Sequence, residues 1–186
     1  DSALMTQKHL SDLPLHVVDS KSTSAGLTLL VKALVGARSQ GKSPAEMISL
    51  ADKIVKTMGI FFMVDTMEYL YKGGRIGGAS RFLGGALDIK PSLYLTEEGK
   101  IDALEKVRTK KKAVQRIMDL AVAKAAGQPA RVGVIHARAL ADAEMIKQEL
   151  SGRMDCVELD IYELSPVVGT HVGPGTLGIA VHTVAY

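Results

Sequence analysis

Apolar positions switch between helical and strand spacing along the chain. Met47, Ile48, Ala51, Ile54 and Val55 recur at the three- and four-residue steps of a helix, and Ser43-Pro44-Ala45-Glu46 ahead of them supplies an N-cap serine, a proline at N1 and a carboxylate at N3. This predicts a helix from Pro44 to about Thr57. Upstream, the apolar run Leu15 to Val18 predicts a short strand ending at Asp19-Ser20, followed by a helix from about Thr23 to Ala37. Ile60 to Val64 is apolar throughout and predicts a strand.

Thr66 to Tyr71 predicts one or two helical turns capped by Asp65 or Thr66, and Ala79 to Ala86 a further short helix. Pro91 has no ladder donor, so Ile89 to Leu95 reads as a strand start or a sheet edge. Ser92 to Leu95 and Ile101 to Val107 flank Glu97-Glu98-Gly99-Lys100, the composition of a hairpin turn. Thr109 then caps a long helix with the apolar face Ala113, Val114, Ile117, Met118, Ala121, Val122 and Ala125, closed by Gly127. A strand (Ala130 to His136), a helix (Ala141 to Leu150) and two strands (Cys156 to Tyr162, Leu177 to Val184) complete an α/β pattern whose crossovers should be right-handed. A boundary near residues 58 to 65 separates residues 1–60, whose two helices have no sheet partner of their own, from residues 61–186.

Two segments, Lys72 to Gly85 and Gly169 to Gly178, hold ten of the 18 glycines and suggest one shaped site. In Gly73-Gly74-Arg75-Ile76-Gly77-Gly78 the glycines permit close backbone approach around a guanidinium able to bind carboxylate or phosphate. In His171-Val172-Gly173-Pro174-Gly175-Thr176 an imidazole, free amides and a hydroxyl suit an anionic head group. Neither segment matches the P-loop or dinucleotide fingerprint, so ATP and NAD are unsupported and no cofactor is expected. No metal is expected either, because there is no HExxH, no cysteine pair and no compact carboxylate cluster. Phe62, Leu83 and Ile89 belong to aliphatic stretches that could line a tunnel ending at the two polar loops, which would suit a long apolar ligand with a small anionic head.

The 186 residues are 47% hydrophobic and 23% charged, the balance of an ordinary globular chain. Cys156 is the single cysteine, no apolar run is long enough to cross a bilayer, and the first residues show no leader pattern, so a reducing, cytoplasmic setting is expected. Net charge is +3, with a basic stretch from Lys106 to Arg116 that lacks the interleaved aromatics on which bases stack, so no nucleic acid is expected.

Asp65 to Ile76, Ile89-Lys90-Pro91, Val107 to Ala113 and His171 to Gly175 closely resemble, in order, four motifs of the DegV family of bacterial fatty-acid-binding proteins, which includes the binding subunit of fatty acid kinase. Val18 to Gly26 resembles a stretch late in that family's first domain. The resemblance implies a two-domain DegV-like α/β fold, here N-terminally truncated. A partial first domain, residues 1–60, would precede a complete second α/β domain with a mixed sheet, residues 61–186, that forms the fatty-acid tail pocket. It further implies a non-enzymatic carrier that presents a long-chain fatty acid such as palmitate to an ATP-dependent fatty acid kinase subunit, and the basic residues Arg108 to Lys112 are then available to such a partner or to transient anionic membrane contact. Arg75, Ile76, Gly77, His171, Gly173 and Gly175 would then shape the head-group side, and Phe62, Leu83 and Ile89 the tail side. Two other readings stay open on the residues: an acyl or phosphoryl transfer enzyme using His171 as base, and a regulatory nucleic-acid module using Lys106 to Arg116.

Overall fold

The computed structural model describes residues 2–82 and 89–184. The helices are α1 (Ser2–His9), α2 (Ser24–Ser39), α3 (Pro44–Thr57), α4 (Glu68–Lys72), α5 (Lys110–Ala125), α6 (Leu140–Ser151) and α7 (Pro166–Val172). The strands are β1 (Gly59–Met63), β2 (Ser92–Leu95), β3 (Ile101–Glu105), β4 (Ala130–His136), β5 (Cys156–Glu163) and β6 (Leu177–Thr183), and a 3-10 turn spans Gly77–Phe82.

Local signals account for most of these bounds. At α3, Ser43 Oγ accepts the Glu46 N–H at 3.4 Å while the Glu46 carboxylate accepts the Ser43 N–H at 2.9 Å. The Ser43 amide foremost, then the Ser43 hydroxyl and the Lys42 ammonium, hold the Glu46 carboxyl down to about 2. Thr109 Oγ1 accepts the Lys112 N–H and starts α5, which ends on Ala126 in the left-handed region (φ 50°).

Three segments differ from the expectation. Leu15 to Val18 forms no strand, because no described strand lies alongside to pair its backbone; Val18 packs instead against the α2 and α3 cluster. The helix expected from Ala79 to Ala86 is a 3-10 turn as far as Phe82, and residues 83–86 of that segment lie outside the described residues. α7 takes up part of what read as a glycine loop, and its start repeats the α3 signal, with Ser165 as N-cap and Pro166 at N1.

The six strands form one mixed sheet in the order β3-β2-β1-β6-β4-β5. Every neighbouring pair is antiparallel except β4 and β5, which run parallel with α6 crossing between them. Strand alternation sorts the side chains. Val132, Val134, Ile179 and Val181 face α5 and α6, where Ile117, Ala121, Ile146 and Leu150 bury them. The opposite face has two separate covers. Ala25 and Leu29 of α2 sit on Ile135 and Ala180, an approach close enough that a Cβ on Gly133 would lie 2.7 Å from Ala25 Cβ. Leu70 of α4, Ala79 of the 3-10 turn and Val172 of α7 sit on Phe62, Leu93 and Ala103.

The residues before β1 therefore do find a sheet partner within the chain, through one face of α2. The row Leu27, Val31 and Val35 on its other side remains 41%, 49% and 59% exposed, and α1 buries none of its residues. Among the described residues no helix is long and apolar enough to cross a membrane.

Candidate functional site

Where the two covers stop short of one another, the sheet becomes the floor of a cavity of about 720 Å³. Ile60 and Phe62 of β1, Gly178 of β6 and Ile135 of β4 make that floor. Register brings them together: Phe62 is paired with Gly178 and Gly178 with Ile135, so the glycine separates two large apolar side chains across three strands. A Cβ on Gly178 would lie 3.0 Å from Phe62 Cβ and 3.6 Å from Ile135 Cβ, so the missing side chain gives the cavity depth at its centre.

One wall is α7 and the residue leading into it, with Leu164, Val167, Val168 and His171. The opposite wall is the strap from Asp19 to Ser24 that enters α2, and the hairpin from Leu95 to Ile101 closes over the top. Lys21 and Ser24 in the strap hold φ of 49° and 52°, a region that non-glycine residues enter only under constraint. Thr23, the α2 N-cap, forms no side-chain cap bond, and the first turn carries no acidic residue.

The polar corner consists of Gly74, Arg75, Gly77 and His171. Arg75 is exposed; its Nη1 donates to the Gly73 carbonyl at 2.9 Å, and it has no ion pair among the described residues. Most of its five donors are thus unspent. The His171 ring stands against Gly73, its Nδ1 buried without a hydrogen-bond partner among the described residues, which leaves Nε2 as the nitrogen available to a ligand. Thr176 lines the cavity but its hydroxyl donates to the Val172 and Gly173 carbonyls at 3.0 and 2.9 Å, fastening the end of α7. Around the rim, Lys21, Arg75 and Lys100 face Asp19 and Glu98. Lys21 pairs with Asp19 at 2.7 Å, and the Thr96 hydroxyl is the main cause holding the Glu98 carboxyl below its usual range.

Of the residues singled out from the sequence, Phe62, Arg75, Gly77 and His171 border the cavity. Ile76 and Ile89 pack into the cluster formed by Phe62, Leu70 and Leu93. Gly173 backs onto the Tyr69 ring, and Gly175 lies against Asp65 with its N–H donated to Ala137 at 2.8 Å. Leu83 lies outside the described residues. The sequence reading missed Ile60, Ile135, Gly178, Val167 and Val168 as lining residues; the Ser165-Pro166 pair was the signal that could have placed the last two on a helix.

The basic stretch lies away from the cavity. Arg116 pairs with Glu105 and Lys110 with Asp142, at 2.5 and 2.7 Å, while Arg108, Lys111 and Lys112 have no ion pair among the described residues. Lys106 and Arg81 lie 5.1 and 5.2 Å from the Phe82 ring centre.

Comparison with known proteins connects this geometry to relatives. The family model described as "Uncharacterised protein, DegV family" matches residues 1–184. A DegV domain-containing protein of Streptomyces coelicolor is 36% identical over 185 residues, covering 97% of this chain and 64% of its own length. A Thermus thermophilus structure described as fatty acid binding of a DegV family protein superposes with a TM-score of 0.89 at 30% identity, covering 98% of this chain and 66% of that one. The Bacillus subtilis structure described as DegV, a fatty acid binding protein, gives 0.85 at 32% identity, covering 98% and 65%. The chain spans just under two thirds of the length of each of these relatives.

Proposed function

The chain belongs to the DegV family, and on that premise we propose that it binds a long-chain fatty acid in the cavity between α2 and α7 and acts as a lipid carrier. One observation carries the reading: a cavity of about 720 Å³ with an apolar floor has an unpaired guanidinium and an imidazole together at one corner. The acyl chain would lie over Phe62, Gly178 and Ile135 towards Ile60, and the carboxylate would meet Arg75 and His171 Nε2. Burial contributes about 0.8 kcal/mol per methylene, so a palmitate-sized chain gains roughly 12 kcal/mol gross before ordering costs. Head-group contacts then set direction more than affinity.

His171 serves binding, not proton transfer. An orienting carboxylate would be needed at Nδ1 to make it a base, and that nitrogen faces Gly73 instead. In the cytoplasm the carrier would present its fatty acid to an ATP-dependent fatty acid kinase subunit, which converts the carboxylate to acyl phosphate. Arg108, Lys111 and Lys112, without ion pairs among the described residues, suit such a partner or a transient anionic membrane contact.

Residues 1–60 would belong to a first α/β domain, with residues 61–186 as the second. The support is the exposed row Leu27, Val31 and Val35, together with Leu4, Met5, Leu10 and Leu13, which are 44 to 59% exposed. In a chain of the relatives' full length, amides along α2 should gain at least tenfold hydrogen-exchange protection over this chain; equal protection would remove the assignment.

Organic extraction of the purified protein followed by mass spectrometry should recover an intact fatty acid in stoichiometric amount. Arg75→Ala should leave folding stability within about 0.5 kcal/mol, since the side chain is exposed, yet weaken fatty-acid binding about tenfold through loss of a charge-assisted contact. Unchanged affinity and unchanged acyl phosphate yield with a kinase subunit would take Arg75 out of the site.

A further inference from the structure

A second, smaller cavity of about 200 Å³ lies beside the first, and the two share Lys21, Ser22, Ile60 and Leu95. Strand register tells which end of the large cavity this is. Thr176 and the end of α7 adjoin Leu177, which pairs with Met63 at the last residue of β1. His171 touches Gly73 at the end of α4, so the imidazole lies at that same end, while Gly77, on the other side of Arg75, abuts Ile101, the partner of Leu95. Ile60 pairs with Ala180, three residues further along β6, so it sits about 10 Å from that end at the usual strand rise. The shared residues therefore bound the large cavity at the end away from His171.

The partition is thin and held from outside. The first turn of α2 presses on Ile60 closely enough that a Cβ on Gly26 would lie 2.6 Å from Ile60 Cδ1. The hairpin tip seals against the strap, because a Cβ on Gly99 would lie 2.9 Å from the Lys21 carbonyl oxygen. Leu95 is half-buried and belongs to none of the hydrophobic clusters among the described residues, so little of the core depends on it. Behind the partition, Val55, Met58, Phe61 and Tyr94 line the smaller cavity, and the exposed Lys56 and Lys124 stand at its rim.

We propose that Ile60 and Leu95 form a chain-length stop: they end the space open to the acyl chain, and the smaller cavity behind them receives the terminal carbons of longer chains when the stop is cut back. This rests on the fatty-acid reading of the larger cavity. The added carbons would lie against Val55, Met58, Phe61 and Tyr94, with Ser20, Thr96 and Glu97 on the polar side of the same cavity and the exposed Lys56 and Lys124 able to lay their aliphatic stems along it.

The test measures competition binding of saturated fatty acids from myristic to behenic by the 186-residue chain. Leu95→Ala and Ile60→Ala should each raise the affinity ratio of arachidic over palmitic acid about tenfold, the effect of burying two more methylenes. Val55→Phe, which fills only the smaller cavity, should return the ratio of Leu95→Ala to the wild-type value. If Ile60→Ala fails to fold, Leu95→Ala with and without Val55→Phe carries the test. Wild-type binding with an unchanged ratio in the variants overturns the stop alone. A wild-type protein that binds no acid of the series overturns the fatty-acid reading, and the stop with it.

Discussion

Replacing Gly178 with leucine is expected to lower fatty-acid affinity about a hundredfold. The residue is buried at the centre of the cavity floor, between Phe62 and Ile135 on the neighbouring strands, and on that face its side chain has only the cavity to enter. Four added heavy atoms displace about four methylenes of ligand, roughly 3 kcal/mol. The strand itself tolerates the change better than the ligand does, because a Cβ 3.0 Å from Phe62 Cβ asks for a small shift while strand backbone gains from losing a glycine. Gly178→Ala should show a loss of only a few fold. Titration calorimetry beside a denaturant unfolding curve separates the two effects, and wild-type affinity in a folded Gly178→Leu protein would move the acyl chain out of this cavity.

Gly77→Ala is expected to destabilise the fold by about 3 kcal/mol, for two reasons that add. Its φ of 49° lies in the left-handed region, where an alanine loses about 1 kcal/mol. Its Cβ would also run into the Ile101 carbonyl oxygen, a backbone atom of β3 that cannot turn aside. The surrounding turn has little room to retreat, since Arg81 binds both the Asp102 carboxylate and the Ala103 carbonyl on the same strand. Gly74→Ala is the control: φ is 65°, but nothing lies within 4 Å of the new Cβ, so only the dihedral cost of about 1 kcal/mol should appear. Equal losses at the two positions in urea unfolding would show that the β3 contact has no weight.

These glycines mark the limit of what was legible. Glycine density drew attention to two segments that both reach the cavity, yet Gly173 and Gly175 back onto Tyr69 and Asp65 while Gly77 and Gly178 border it. Composition carries no information on which way a Cβ would point. The opposite holds for α3, whose capping box, N1 proline and apolar spacing all lie within one segment and agree with its observed bounds. Leu15 to Val18 shows the same division from the other side: apolarity suggested a strand, but a strand needs a partner that no local pattern supplies.

By itself, then, the sequence determined the α/β alternation, the capped helices, the β2–β3 hairpin and, through four ordered motifs, the family. These follow from interactions between near neighbours or from residue identity alone. Tertiary structure alone decided that Ile60, Ile135 and Gly178 share one floor, that α7 carries His171 to the cavity wall, and that α2 leaves part of the sheet uncovered. The β1–β6 pairing joins residues more than a hundred positions apart, and such pairings are selected by burial of the whole sheet, a free energy that no short segment contains.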